Sequence, residues 1–408
     1  MSGAQRPEIL IAALAFGTLA LASSPARAEV EFSTRAGLWS GTRLNQPDEG
    51  LFARAEIWMR STTALNSVLE VRTEGWVSTD PAGDNDAGIE VRQALVAAKL
   101  GGLRLEAGRD VYAWGRTDRI NPTDVVGPRD HRRLVDDEND NRRGIATVRA
   151  LVDVAGGELS LHWLPEFRAT ELPTVAVPGV EDVHPDSPEQ QFAVRYERFG
   201  AAFDWSVSYA QVADRTPWVS VAMQGGRPVT SLRHPTLRMF GGDFATTLGP
   251  YGVRGEAAIY DYDDDDLTGV ARRRPAIAVV LGADRDFPGQ LNVNVQGVVR
   301  MSKSLPETPP ALAPVALRNG TVQIAWRDTL TGGTVRVRKA FAADRASVEA
   351  SAAAYEGGGR FAQMRASYAI RDGVRLTALA ERFEGNAATL FGGLKNNNVI
   401  SLGVRVGF

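Results

Sequence analysis

The residues with the most chemical potential crowd into one stretch, Ala107 to Arg143, which runs AGRDVYAWGRTDRINPTDVVGPRDHRRLVDDENDNRR. Arg109, Arg116, Arg119, Arg129, Arg132 and Arg133 each carry a planar guanidinium that can grip a carboxylate or phosphate in bidentate fashion. Asp110, Asp118, Asp124 and Asp130 are interleaved with them and can instead pair with those arginines and hold the segment together. Sequence spacing leaves both readings open. Asn121-Pro122 and Gly127-Pro128 are turn formers, and Tyr112 and Trp114 supply rings around which a polar segment can order. A connection of about 30 residues normally carries a function when it is ordered.

Acyl-transfer chemistry needs a histidine with a serine, aspartate or second histidine in reach. The four histidines are His131, His162, His184 and His234. Ser160 precedes His162 by two residues and shares its face of a strand, which makes His162 or His131 the candidate for an enzyme of lipid or lipopolysaccharide. A lone polar histidine is the better reading, since no G-x-S-x-G, no His-Glu-x-x-His and no phosphate loop occurs. Cysteine is absent, which excludes disulfides, thiol nucleophiles and Cys-based metal sites. The acidic runs Asp84 and Asp86, Asp136 to Glu138 with Asp140, and Asp261 with Asp263 to Asp266 read as solvated loop faces or divalent-cation binders. None has calcium-loop spacing, so no metal or cofactor is expected. A formal charge of −3 argues against nucleic acid as a partner.

The elements that position these residues are strands. Residues 399–408 alternate strictly: Ile400, Leu402, Val404, Val406 and Phe408 are apolar, while Ser401, Gly403, Arg405 and Gly407 are small or polar. About ten residues of tilted strand just cross a bilayer. Working back along the chain gives about eighteen such strands, with about sixteen or twenty as the alternatives. Short turns fall at Gly101-Gly102, Gly156-Gly157, Gly249-Pro250, Pro288-Gly289 and Asp372-Gly373. Long loops fall near 41–50, 79–88, 113–142, 165–189, 213–234, 263–271, 303–333 and 384–398. Thr321–Thr329 also looks like a strand. Counting it would give twenty strands, with a turn at Asn319-Gly320; parity favours leaving 303–333 as an outer loop, which like 113–142 can fold into the lumen.

The alternation also assigns faces. In Gln290–Arg300, Leu291, Val293, Val295, Gly297 and Val299 point one way and Gln290, Asn292, Asn294 and Gln296 the other, which implies a water-filled interior and no greasy core. The inward set contains the Arg–Glu ladders Arg54 and Glu56, Glu70 to Glu74, Glu90 and Arg92, Arg104 and Glu106, Arg195 and Glu197, and Arg254 and Glu256. Later strands place Arg238, Arg272, Arg274, Arg300, Arg336, Arg338, Arg365, Arg371, Arg375 and Arg405 inward with few acidic partners. A surplus of arginine favours anions. At the N-terminus, Arg6, the apolar stretch Ile9–Ala22 and Ala26-Arg27-Ala28 read as a signal peptide over 1–28, leaving 29–408 as one barrel domain.

The run GRDVYAWGRTDRINPTD followed by GPRD resembles a segment after an early strand in proteobacterial outer-membrane channels. Gly108, Arg109, Trp114, Gly115, Asn121, Pro122, Gly127, Pro128 and Arg129 carry the match. It is similar to the alginate-export-like family, with its Arg-lined barrel, and to a family of porin-like barrels with a GRxxxxWG motif. The resemblance implies a Gram-negative outer-membrane β-barrel whose terminal Phe408, with Val406 and Val404, is read by the barrel-assembly machinery. The expectation is a passive channel for polar, anionic solutes, set in outer-membrane lipid and lipopolysaccharide. The alternative is a secretion channel for an acidic exopolysaccharide with periplasmic export partners.

Overall fold

The computed structural model describes residues 29–44, 51–79, 87–133, 135, 137–172, 181–182, 190–224, 227–263, 273–303, 310–322, 327–386 and 389–407. Residues 1–28, expected to be a signal peptide, lie outside them, as do Asp84, Asp86, Asp136, His184, Asp264 to Asp266, Arg272 and Phe408.

Eighteen antiparallel strands form one sheet, from Glu29–Arg43 to Val399–Gly407. The last strand pairs with the first, Arg35 opposite Gly407 through Arg43 opposite Val399, so the sheet closes on itself. Closure leaves no unpaired edge, which is the condition for crossing a bilayer with strands. The alternation sorts as expected. On Leu291–Ser302, Asn294 and Gln296 are 2% and 3% exposed while Val295 and Val299 are 54% and 36% exposed. Ile57, Val96, Leu161, Ile259, Leu281, Val335, Met364 and Leu402 continue the outward apolar belt around the barrel.

One strand changes face midway. Glu74 lies opposite Gln93 but Gly75 opposite Val91, so Arg92 is the extra residue of a β-bulge in Ala87–Leu100. Glu90 is buried inward before the bulge, Arg92 at it, and Leu95 and Ala97 after it.

Two expectations need correction. The interior is not polar throughout: Tyr112, Trp114 and Val126 of the long loop pack on Ile145, Leu164, Leu237, Met239 and Tyr260 of the wall in a buried apolar cluster. A long loop orders only by burying apolar side chains, and the facing wall accommodates them with small inward residues such as Ala193, Ala210, Ala258 and Ala278. Arg238 points outward, because Leu237, Met239 and Asp243 are the inward set of its strand; it pairs with Asp261 and Asp263 on the same outer face. Among the described residues, 303–333 hold no extra pair of strands, in keeping with eighteen rather than twenty. Ala313–Val322 is a helix through the supposed turn at Asn319-Gly320, and the next strand begins at Thr329.

That helix docks on a hairpin, Trp218–Gln224 with Arg227–Arg233, within the outer loop 213–234. The Asn319 amide accepts from Val219 N–H at 3.0 Å and donates to Val219 C=O at 2.8 Å, which continues the strand's hydrogen bonding through a side chain. The eighth outer connection is only a turn, 356–358, between Ala346–Tyr355 and Gly359–Arg371.

Candidate functional site

Residues 111–144 leave the strand Leu103–Asp110 and enter the barrel. Their first anchor is Glu256, inward on Tyr251–Asp263. It accepts from Thr123 N–H at 2.6 Å, Thr123 Oγ1 at 2.8 Å, Thr117 Oγ1 at 2.9 Å and Asn121 Nδ2 at 3.3 Å. Gly115 lets the loop pass over this carboxylate: its φ is 90°, and a Cβ there would meet Glu256 and stand 2.7 Å from Asn121 Nδ2. Thr123, Glu256 and Thr117 are buried, so each bond replaces a water contact that the site excludes.

The loop arginines then reach different strands. Arg116 pairs with Asp243 and lies 3.4 Å from Glu197. Arg133 pairs with Glu56 and stacks 3.8 Å from the Trp76 ring. Burial, with Arg54 adding to it, pushes the Arg133 guanidinium down to about 10 against the pull of Glu56. Arg119, at a φ of 67°, crosses to Glu349 at 3.3 Å and Gln363 at 3.1 Å and also holds Glu138 at 2.8 Å. Asp118 meets Arg336 at 3.0 Å. Asp140 takes Arg35 of the first strand at 2.7 Å.

Within the loop, Asp124 binds Arg129 at 2.6 Å and Arg142 at 2.7 Å, and Asp130 binds Arg132 at 3.0 Å. Burial works to raise the Asp130 carboxyl, but hydrogen-bonded Arg132 outweighs it and holds the group below the usual range. Arg109 sits at the loop's origin, 2.7 Å from Glu166, and Asp110 takes Arg149 at 2.6 Å. The partners of the loop arginines are therefore divided between wall carboxylates and the loop's own acids, and the loop is tied across the lumen from Glu56 and Arg35 on one side to Asp243 and Glu256 on the other.

The wall facing the loop's free edge is different. Registers place Glu349 opposite Arg365, Ser367 opposite Thr377 and Arg375 opposite Arg405 along four consecutive inward faces. Among the described residues Arg338, Arg365, Arg375 and Arg405 make no ion pair; Arg365 meets the Val135 carbonyl at 3.5 Å and Arg375 the Ser367 hydroxyl at 3.1 Å. Arg405 borders a small space between loop and wall with Arg35, Arg54, Glu56 and Asp140. Arg300, also inward, stands 5.2 Å from the Tyr260 ring. The result is a narrowed lumen with Glu138 and Asp140 on the loop side and a file of arginines on the wall side. Burial raises both of those loop carboxyls, Asp118 adding to the effect at Glu138 and Arg35 opposing it at Asp140.

Asp243, Glu349 and Arg35 are functional contacts that reading the sequence did not single out. Asp243 had a usable signal, as the one inward acid on Thr236–Leu248. The histidine pair is present but sealed. His162 Nε2 lies 2.9 Å from Ser160 Oγ, and Nδ1 faces the Tyr112 hydroxyl at 3.1 Å, with no carboxylate behind it. Both side chains are buried under Trp114. His131 is exposed on the loop, and His234 packs on Phe167 with Nδ1 2.7 Å from the Asp214 carbonyl.

No family model matches the sequence, and no curated protein matches it. Solved structures do. OccAB3 of Acinetobacter baumannii superposes with a TM-score of 0.55 at 10% identity, over 94% of this chain and 99% of that one. A BenF-like porin from Pseudomonas fluorescens Pf-5 gives 0.55 at 10% identity, over 94% and 98%. OpdL of Pseudomonas aeruginosa gives 0.54 at 12% identity, over 94% and 98%. At such identities the likeness is one of fold, and the fold is that of a closed outer-membrane barrel of Gram-negative bacteria.

Proposed function

We propose that the protein is an outer-membrane channel for passive diffusion of small polar solutes, with a preference for anions. The observation that carries this is the file Arg338, Arg365, Arg375 and Arg405, which faces the constricted lumen without an ion-pair partner among the described residues. Uncompensated guanidiniums lower the energy of an anion in a narrow passage and raise that of a cation. The inserted loop sets the width, and its edge residues Glu138 and Asp140 temper the field. The barrel stands in outer-membrane lipid and lipopolysaccharide, and its terminal strand with Phe408 addresses the barrel-assembly machinery. The similar solved structures, one of them titled a porin, support a channel over an enzyme.

Export of an acidic exopolysaccharide, as in alginate-export-like barrels with periplasmic partners, would use the same arginines. A loop bound to many strands is a poor fit to a polymer-sized conduit. The deciding experiment is single-channel recording of refolded protein in a planar bilayer under a salt gradient. An anion-selective reversal potential supports the proposal, a cation-selective one overturns the role of the arginines, and block by added anionic polysaccharide from the periplasmic side favours export.

A further inference from the structure

A cavity of about 220 Å³ opens beside the inserted loop near the outer rim, and the chemistry used so far does not need it. One side is aromatic: Tyr355, Phe361 and Phe391. The Phe391 ring lies 6.0 Å from Tyr355 and 6.1 Å from Phe361, both nearly parallel. The other side is the loop tip, Asp118, Arg119 and Ile120, with Arg336 below.

Specific backbone features build the aromatic side. Gly332 lies opposite Tyr355, and a Cβ there would strike the tyrosine ring, so the glycine lets that ring lie flat along the wall. The connection after Val374–Glu384 folds back, Thr389 caps the turn Leu390–Gly393, and Phe391 N–H donates to the Gly358 carbonyl at 3.0 Å. That bond brings Phe391 over the cavity and is possible only because the neighbouring outer connection is a bare turn.

We propose that this cavity is a subsite for a monocyclic aromatic solute carrying a small polar group, on its way into the channel; the inference rests on the channel reading. The parts of the Tyr355 and Phe361 rings that remain open to water are unfavourable at about 25 cal/mol per Å², and a flat apolar ring covers them while stacking in the offset geometry aromatic pairs prefer. A cavity of about 150 Å³ already accepts benzene, so the space suffices for one ring and a substituent. The polar side does not demand a charge. Arg336 is held by Asp118 at 3.0 Å, and Arg119 by Glu138 and Glu349, so these groups offer hydrogen bonds but little net field. The ring, and not an anionic group, is then the element this subsite selects.

The test compares open-channel block by benzyl alcohol and phenylacetate with that by glycerol and acetate, joined to calorimetric titration of benzyl alcohol into the refolded barrel. Saturable binding and block by the two ring compounds alone is expected, weakened about three- to tenfold by Phe391→Leu and Phe361→Leu and unchanged by Phe240→Leu on the barrel's outer face. The leucine variants keep apolar bulk, which separates loss of the ring from loss of the fold. Equal block by acetate and phenylacetate, or leucine variants that bind normally, would overturn the subsite while leaving the channel. Calorimetric binding of the ring in a barrel that does not conduct would instead overturn the channel reading and keep the aromatic site.

Discussion

Arg375 and Arg405 stand directly opposite each other on adjacent strands, both facing the lumen. Like charges in that relation destabilise a sheet, so the pair is a cost to the fold that an anion in the passage would relieve. Arg405→Ala should therefore leave folding intact or improve stability by about 0.2–1 kcal/mol, while the anion-to-cation permeability ratio falls. Reversal potentials measured with Arg375→Ala and the double variant should fall further in step. A ratio that does not move in any of the three would remove these residues from the selectivity argument.

The second prediction concerns the anchor at Asp243. This carboxylate holds Arg116 from the loop and Arg195 from the wall at 3.1 Å, and it accepts from Ser206 at 2.6 Å. Removing it leaves two enclosed guanidiniums to share Glu197 alone, at a cost below the roughly 3–5 kcal/mol of a fully broken buried pair. Asp243→Ala is expected to release the loop before it unfolds the barrel, because the barrel ladder does not depend on this side chain. Conductance should rise, and trypsin should cut within 109–133 in the variant but not in the parent. A variant with parental conductance and an uncut loop would show that the other ties suffice.

Most of the barrel was legible because its physics is local. Strand alternation, turn glycines and strand length are each set by near neighbours, so Leu291–Ser302 and Val399–Gly407 sort as read. What failed to read needs the path of the chain through space. The Arg116–Asp243 and Arg119–Glu349 pairs join residues whose proximity is decided only once the loop enters the lumen. The same is true of the apolar cluster under Trp114, whose wall half looked like ordinary small residues on an inward face. Arg238 was misread because a charge near the rim is tolerated on the outer face, where Asp261 and Asp263 meet it.

The pH dependence follows from Asp140 and Glu138 at the loop's free edge. Burial raises both carboxyls above their ordinary range. A raised carboxyl takes up its proton earlier as pH falls, so these two lose their charge before solvated acids do. Their loss removes the negative side of the passage while the arginines stay charged. Anion selectivity should thus increase as pH is lowered from neutrality toward the carboxylate range. The stability sign is the same: the neutral form is the one the folded loop favours, so these groups contribute stability at low pH that is lost as pH rises through their folded values. Asp140→Asn should show high anion selectivity already at neutral pH and a flatter profile. A parent channel whose reversal potential is constant over that range would exclude these acids from the permeation path.

The last prediction concerns the buried Ser160–His162 pair. Its geometry has one half of a hydrolytic site: a hydroxyl at 2.9 Å from Nε2. The other half is missing, because Nδ1 meets the Tyr112 hydroxyl, and a phenol cannot stabilise the imidazolium that a serine attack would create. Ser160 Oγ also donates to the Arg195 carbonyl at 3.2 Å, which turns its proton away from the histidine. With Trp114 and Tyr112 covering the pair, no ester can approach it. A fluorophosphonate probe should leave the folded barrel unlabelled, in detergent and in lipopolysaccharide-containing vesicles alike. His162→Phe should preserve conductance and selectivity, since the ring fills space and its bonds serve the loop's seat. Labelling that maps to Ser160 and disappears in His162→Phe would reverse this assignment and make the barrel an enzyme.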